Sequence, residues 1–199
     1  MERAIRLIVA ILLLLFAWIA VGGFRQSIHT FQRPRTPVMR ALYSPAIIGL
    51  ALAACVPLVK LGWRPLPWRP SSRLRQWLSL LGGLVFLAGW VLYVWGRIAL
   101  GRNFGVSTAI EAPLRANHTL VTSGPYVLVR HPMYLGVIIA TWGLVAVFRT
   151  WAMLVFAISF LSLPIRARTE ERALAARFGP AWEAYAARVP GFVPRMRVR

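Results

Sequence analysis

From Trp77 to Gly96 the chain runs for 20 residues without a charged side chain. A helix of that length rises about 30 Å, the thickness of a bilayer's hydrocarbon core. In hydrocarbon every backbone polar group must find its partner within the protein, so such a run is read as helix. Four further apolar runs flank it. Ala4–Gly22 carries only Arg6, and Tyr43–Leu61 only Lys60, while Met133–Phe148 and Trp151–Ile165 carry no charge. The last two are short for full crossings and are split only by Arg149 and Thr150, which predicts a tight helical hairpin; a re-entrant pair is the alternative. The first run ends in the small-x-small triplet Ala20-Val21-Gly22, but it is longer than a usual signal core and the rest of the chain is also apolar, so it reads as a retained span. The fold class expected is an all-α integral membrane protein with about five transmembrane helices.

Composition agrees. Apolar residues make up 58% of the 199 positions and charged residues 15%, against about 45–50% and 25% in soluble domains. The net charge is +19, from 24 basic and 5 acidic residues. Such an excess first suggests nucleic acid, but here the arginines flank apolar runs instead of forming one soluble basic face, which suits anionic membrane lipids. Nucleic acid is therefore not an expected partner. Segments on the C-terminal side of five spans hold 16 of the 24 basic residues. By the positive-inside rule this places the C-terminus in the cytoplasm and the protein in the inner, cytoplasmic membrane; the basic 60–76 connector argues the other way. Cys55, the lone cysteine, lies in an apolar run and reads as packing. His29, His118 and His131 have no metal-ligand spacing, and no metal site is expected.

Two regions are foreseen: 1–74, two spans and a connector, and 75–199, which holds the polar elements. The connector "KLGWRPLPWRPSSR" has three prolines and cannot be regular helix; Trp63 and Trp68 suit the head-group layer. Gly82 and Gly89 share a helix face and predict close helix packing. Residues 101–124 form a polar cytoplasmic loop of short extended pieces, long enough to suggest function. After the hairpin, Thr169 reads as an N-cap, which sets Glu170 and Glu171 in a first turn. Leu174, Phe178, Trp182 and Tyr185 recur at helical spacing, and Gly179-Pro180 punctuates that helix.

Acidic residues are scarce, so their positions inform. Arg166 lies four before Glu170, so on a helix the two share a face; dipole compensation plus an ion pair between them would explain that arrangement without a site. In "GPYVLVRHPMYLG", Pro132 reads as the first residue of a helix with His131 as its cap, leaving Arg130 and Tyr134 as interface anchors. His118 to Val121 alone reads as an extended stretch. Together these segments bring a Glu pair, two His, two Tyr and an Arg to one depth, where a polar cofactor could meet water while the helices admit a lipid-like partner. The residues do not name that cofactor.

"HTLVTSGPYVLVRHPMYLG" followed by "EERALAARFGPAWEAYAARVPGFVP" resembles the isoprenylcysteine carboxyl methyltransferase family, and the related membrane phospholipid methyltransferases share the Arg-His-Pro-x-Tyr element and paired Glu. The resemblance covers roughly residues 75–195. It implies S-adenosylmethionine as cofactor, S-adenosylhomocysteine as product, and a pocket closed by the cytoplasmic loop and the C-terminal helix. By motif position the cofactor would meet Glu111, His118, Thr119, Leu120, Val121, Tyr126, His131, Pro132, Met133, Tyr134 and Glu170. Arg166 would bind substrate, and Arg166 with Glu170 would carry the catalytic roles. The acceptor implied is lipophilic, a prenylated cysteine carboxylate or a similar small lipid-like molecule; phospholipid amines and thiols stay open. The alternative is a membrane sterol or steroid reductase using NADPH, which shares the Arg-His-Pro-x-Tyr element. A scaffold without catalysis is a third reading. The oligomeric state is not legible.

Overall fold

A computed structural model describes residues 2–28, 60–103 and 119–193. The Tyr43–Leu61 run up to residue 59, Cys55, His29, Glu111 and His118 lie outside the described residues, as does most of the 101–124 loop.

The described chain is helical: α1 (Glu2–Ile28), α2 (Ser72–Leu100), α3 (Pro132–Phe148), α4 (Trp151–Ser159), α5 (Leu163–Phe178) and α6 (Pro180–Arg188). Three single turns of 3-10 helix punctuate them at Gly101–Asn103, Gly124–Val127 and Phe160–Ser162. Among the described residues, two stretches are long and apolar enough to cross a membrane, Ser72–Leu100 and Trp151–Phe178. Only 28% and 11% of their most apolar windows are buried within the protein, so these are not core helices of a soluble fold. Leu84, Val91, Ile98, Val155, Ile158 and Ile165 all face outward, and a surface so apolar calls for hydrocarbon around it.

α2 and α3 run antiparallel and approach closely along a stripe of glycines. A Cβ placed on Gly89 would lie 2.4 Å from the Ala140 nitrogen, and one on Gly136 would lie 2.6 Å from the Gly89 oxygen. One residue pair along, a Cβ on Gly143 would lie 2.5 Å from the Phe86 nitrogen. Gly82 and Gly89 therefore do the packing expected of them, and Gly96 extends the stripe: its Cβ would sit 2.7 Å from Met133. Beside the stripe, Phe86, Ala140, Leu144 and Val147 form the core, joined by Val9 of α1.

The hairpin is present, and Arg149 makes its turn. Its backbone is left-handed, φ 53°, and its N–H closes back on Val145 at 2.9 Å. Beyond Gly62 the connector is irregular, as its prolines require, and it seals the hairpin: Leu66 N–H donates to Arg149 C=O at 2.8 Å and Trp151 N–H to Arg64 C=O at 3.2 Å. The connector ends earlier than the apolar run implied, because Ser71 caps α2 by accepting from the Leu74 N–H at 3.4 Å.

One expectation is corrected. Thr169 is not an N-cap; it lies inside α5, and Glu170 and Glu171 are in mid-helix. The helix continues from α4 because Pro164 falls in the first turn of α5, where a missing N–H costs little. The 3-10 turn joins the two, and the Ser159 and Ser162 hydroxyls each bond the carbonyl three residues back at 2.7 Å. Gly179, φ +48°, does end the helix as foreseen.

Candidate active site

At the end of the bundle where α2 finishes and α3 begins, polar side chains converge from three segments. Pro132 opens α3 as predicted. His131 occupies the N-cap position without capping; its ring reaches α5 instead, with Nε2 2.9 Å from Glu171 Oε1. A carboxylate only accepts, so Nε2 carries the proton. The same oxygen lies 2.9 Å from Arg130 Nε. That N–H is not aligned on it, so the contact is one of charge. One glutamate thus holds both residues that precede α3.

The C-terminal segment straps this pair down. Arg130 N–H donates to Pro190 C=O at 2.9 Å, His131 N–H to Gly191 C=O at 3.1 Å, and Arg130 Nη1 to Ala186 C=O at 2.9 Å. The His131 ring is stacked between Tyr134, centroids 5.6 Å apart, and Phe192, 5.3 Å apart. Only 6% of His131 is exposed. The Arg130 guanidinium lies over the Trp182 ring at 5.8 Å.

Glu170, one position along α5, meets a different partner: the Tyr134 hydroxyl donates to its Oε2 at 3.0 Å. The foreseen Arg166–Glu170 ion pair does not form among the described residues. Tyr134 takes the carboxylate, and the Arg166 guanidinium lies over the Tyr134 ring at 5.9 Å, within cation–π range. Nor are Arg130 and Tyr134 mere interface anchors. The paired glutamates divide the work because adjacent positions on a helix point about 100° apart.

Tyr126, on the 3-10 turn before α3, is buried. Its phenol is pushed up by burial first and by the Glu170 charge second, which places it beside the same cluster. The Tyr185 hydroxyl of α6 donates to the Tyr126 carbonyl at 2.8 Å. Burial raises the Tyr185 phenol to about 12, with Arg130 opposing and Glu171 assisting. A raised phenol stabilises the fold fully below the ordinary value of 10.0 and loses that contribution as pH rises through about 12. Tyr185→Phe should therefore cost about 1 kcal/mol at neutral pH and flatten part of the stability loss between pH 10 and 12, as read by thermal melts across that range.

Thr119 is held beside the end of α2: its N–H donates to Asn103 Oδ1 at 3.1 Å, and its hydroxyl accepts from Asn103 Nδ2 at 2.9 Å. Leu120 and Val121 are half-buried, and none of the three bonds the glutamate cluster. The structure thus gathers Tyr126, His131, Pro132, Met133, Tyr134, Arg166 and Glu170 at one end, with Thr119 at that same end. Tyr185 and Phe192 were not singled out for the site, and Glu171 entered only as half of the glutamate pair, without a role of its own.

The segment that builds this cluster has known relatives. Residues 81–176 match the isoprenylcysteine carboxyl methyltransferase (ICMT) family. This segment belongs to that family. It contains most of α2, all of α3 and the glutamate pair of α5. The chain is 32% identical over 187 residues to a methanethiol S-methyltransferase of Pseudomonas deceptionensis, an alignment covering 87% of this chain and 66% of that protein. It is 32% identical over 133 residues to protein-S-isoprenylcysteine O-methyltransferase B of Arabidopsis thaliana, covering 63% of this chain and 64% of that one. It is also 46% identical over 84 residues to the cobalt-zinc-cadmium resistance protein CzcN of Cupriavidus metallidurans, covering 41% and 38%. The chain spans from 38% to 66% of the length of these relatives.

Proposed function

We propose that this protein is a multi-pass integral-membrane methyltransferase that uses S-adenosylmethionine to methylate a lipophilic acceptor. The observation that carries this reading is the pairing of Tyr134 with Glu170 and of His131 with Glu171, inside the segment that matches the family. About five crossings with the C-terminus in the cytoplasm put the cluster at the cytoplasmic surface of the inner membrane.

The residues present fit the cofactor. Glu170 Oε1 has no partner among the described residues and can accept from an amino or hydroxyl group. The first backbone bond of α3 runs from Leu135 N–H to His131 C=O at 3.0 Å, which leaves the Met133 and Tyr134 N–H groups open to an anionic tail. Carboxylates and aromatic faces suit a sulfonium. The 2′-phosphate of NADPH would want clustered basic groups instead. When bound, S-adenosylmethionine supplies both the methyl group and its leaving group.

The protein's work is then to bind, orient and exclude water. Tyr134, fixed by Glu170 and by the His131 ring, presents a rigid wall. Phe192 and the strap behind His131 shield it. Glu111, His118 and the 119–121 segment would complete the cofactor's enclosure. Arg166, held over Tyr134, can grip a carboxylate acceptor through charge-assisted hydrogen bonds. A carboxylate is already ionised at pH 7 and needs no base, so a prenylated cysteine is the first acceptor to try. A small thiol is the second reading, favoured by the 87% of this chain that aligns with the methanethiol enzyme.

Purified protein given methyl-labelled S-adenosylmethionine should label S-farnesylcysteine on its carboxylate, with methanethiol as the parallel substrate. Transfer to the carboxylate, lost in Arg166→Leu, supports the first reading; transfer to the thiol alone supports the second. Labelling of neither, with NADPH binding in place of the cofactor, would overturn both.

A further inference from the structure

The opposite end of the bundle gathers a second cluster of charged side chains. α3 has 17 residues, so its two ends are about 25 Å apart. At the far end a cavity of about 460 Å³ opens between the start of α1, the connector and the hairpin turn. Arg3, Arg6, Arg69, Arg75 and Arg149 line it against one carboxylate, Glu2. Glu2 is already committed: it sits 2.9 Å from Arg6 Nη2 and pairs closely with Arg149 Nη2.

The rest of that charge is unmet. The side chains of Arg3, Arg69 and Arg75 make no hydrogen bond or ion pair among the described residues. The Arg6 Nε–H is buried without a partner. Arg149 is 7% exposed and fixed by Ser79 Oγ at 3.2 Å and Ala146 C=O at 2.7 Å. Burial holds its guanidinium below the ordinary value, opposed by Glu2 and aided by repulsion from Arg6 and Arg75. Gathering five guanidiniums around one carboxylate costs repulsion that a bound anion would relieve.

We propose that this cavity binds a phosphate group. Guanidinium forks match phosphate oxygens in bidentate geometry, and converging forks take a tetrahedral anion better than a planar one. The rest of the wall favours a lipid headgroup as its source. Leu66, Trp68 and Phe148, with Pro65 and Pro70, complete the lining, and Trp68 is of a type that sits at head-group depth. From the cavity rim, α1 presents Leu7, Ile11 and Leu14 outward, an apolar track for an acyl chain.

The test titrates the full-length protein in detergent with short-chain phosphatidylglycerol, short-chain phosphatidylcholine and inorganic phosphate, reading bound ligand by native mass spectrometry and stability by thermal melt. Arg3, Arg69 and Arg75 are exposed, so replacing all three by Gln leaves the packing intact. The control replaces Arg168, Arg172 and Arg188, which removes equal charge elsewhere. Saturable binding weakened at least about tenfold by the first set and not by the control is the expected result. Preference for phosphatidylglycerol over inorganic phosphate assigns a headgroup, and equal binding of both assigns the free anion. Non-saturable binding, unchanged affinity in the first set, or equal loss in the control overturns the proposal.

Discussion

Gly89→Ala should strongly destabilise the fold. The added Cβ would stand 2.4 Å from one backbone atom of α3 and 2.5 Å from another. Neither is a flexible side-chain end that could swing aside, so the two helices must separate along their whole shared stripe. Alanine favours helix over glycine by about 1 kcal/mol, but overpacking against backbone on both sides costs about 3 kcal/mol, the upper end of its usual range and a large share of a typical total stability. Gly136→Ala, which meets the same contact from the other helix, should behave alike. Gly101→Ala is the control: its Cβ meets nothing within 4 Å, and only its φ of +51° penalises the change, by about 1 kcal/mol. Yield of monodisperse protein and its thermal midpoint separate these outcomes. A Gly89→Ala protein as stable as the parent would show that the helices do not touch where described.

The glutamate pair should split into two phenotypes. Glu170→Gln keeps an oxygen for the Tyr134 hydroxyl and so should fold normally, yet lose methyl transfer about 100-fold, some 2.7 kcal/mol of transition-state stabilisation. Glu171→Ala removes the oxygen that serves both Arg130 and His131. Those two residues are mostly buried, so the loss should appear as stability, about 2 kcal/mol, with the strap at 189–192 loosened. Activity measured beside thermal melts for both variants distinguishes the roles. If Glu170→Gln unfolds and Glu171→Ala stays folded but inactive, the assignments are reversed.

Much of this was readable from the chain because bilayer physics leaves few options. An uncharged run from Trp77 to Gly96 can only be helix, and glycines seven apart on it can only be there for close approach or turning. The hairpin was legible from two apolar runs with Arg149 and Thr150 between them. Tertiary choices were not legible. Whether Glu170 pairs with Arg166 or with Tyr134 depends on where α3 starts relative to α5, and no local spacing carries that distance. Thr169 read as a cap because capping signals are local, whereas the helix continues through it because Pro164 falls where proline is tolerated. The strap that bonds Arg130 and His131 through main-chain carbonyls leaves almost no mark in side-chain identity.

Calorimetric titration of S-adenosylhomocysteine into the purified protein, with and without NADPH, asks whether the glutamate cluster holds the methyl-donor nucleotide. One saturable site is expected, unaffected by NADPH and weakened at least about tenfold in Glu170→Gln. Absence of binding to the folded protein, or displacement by NADPH, would contradict it.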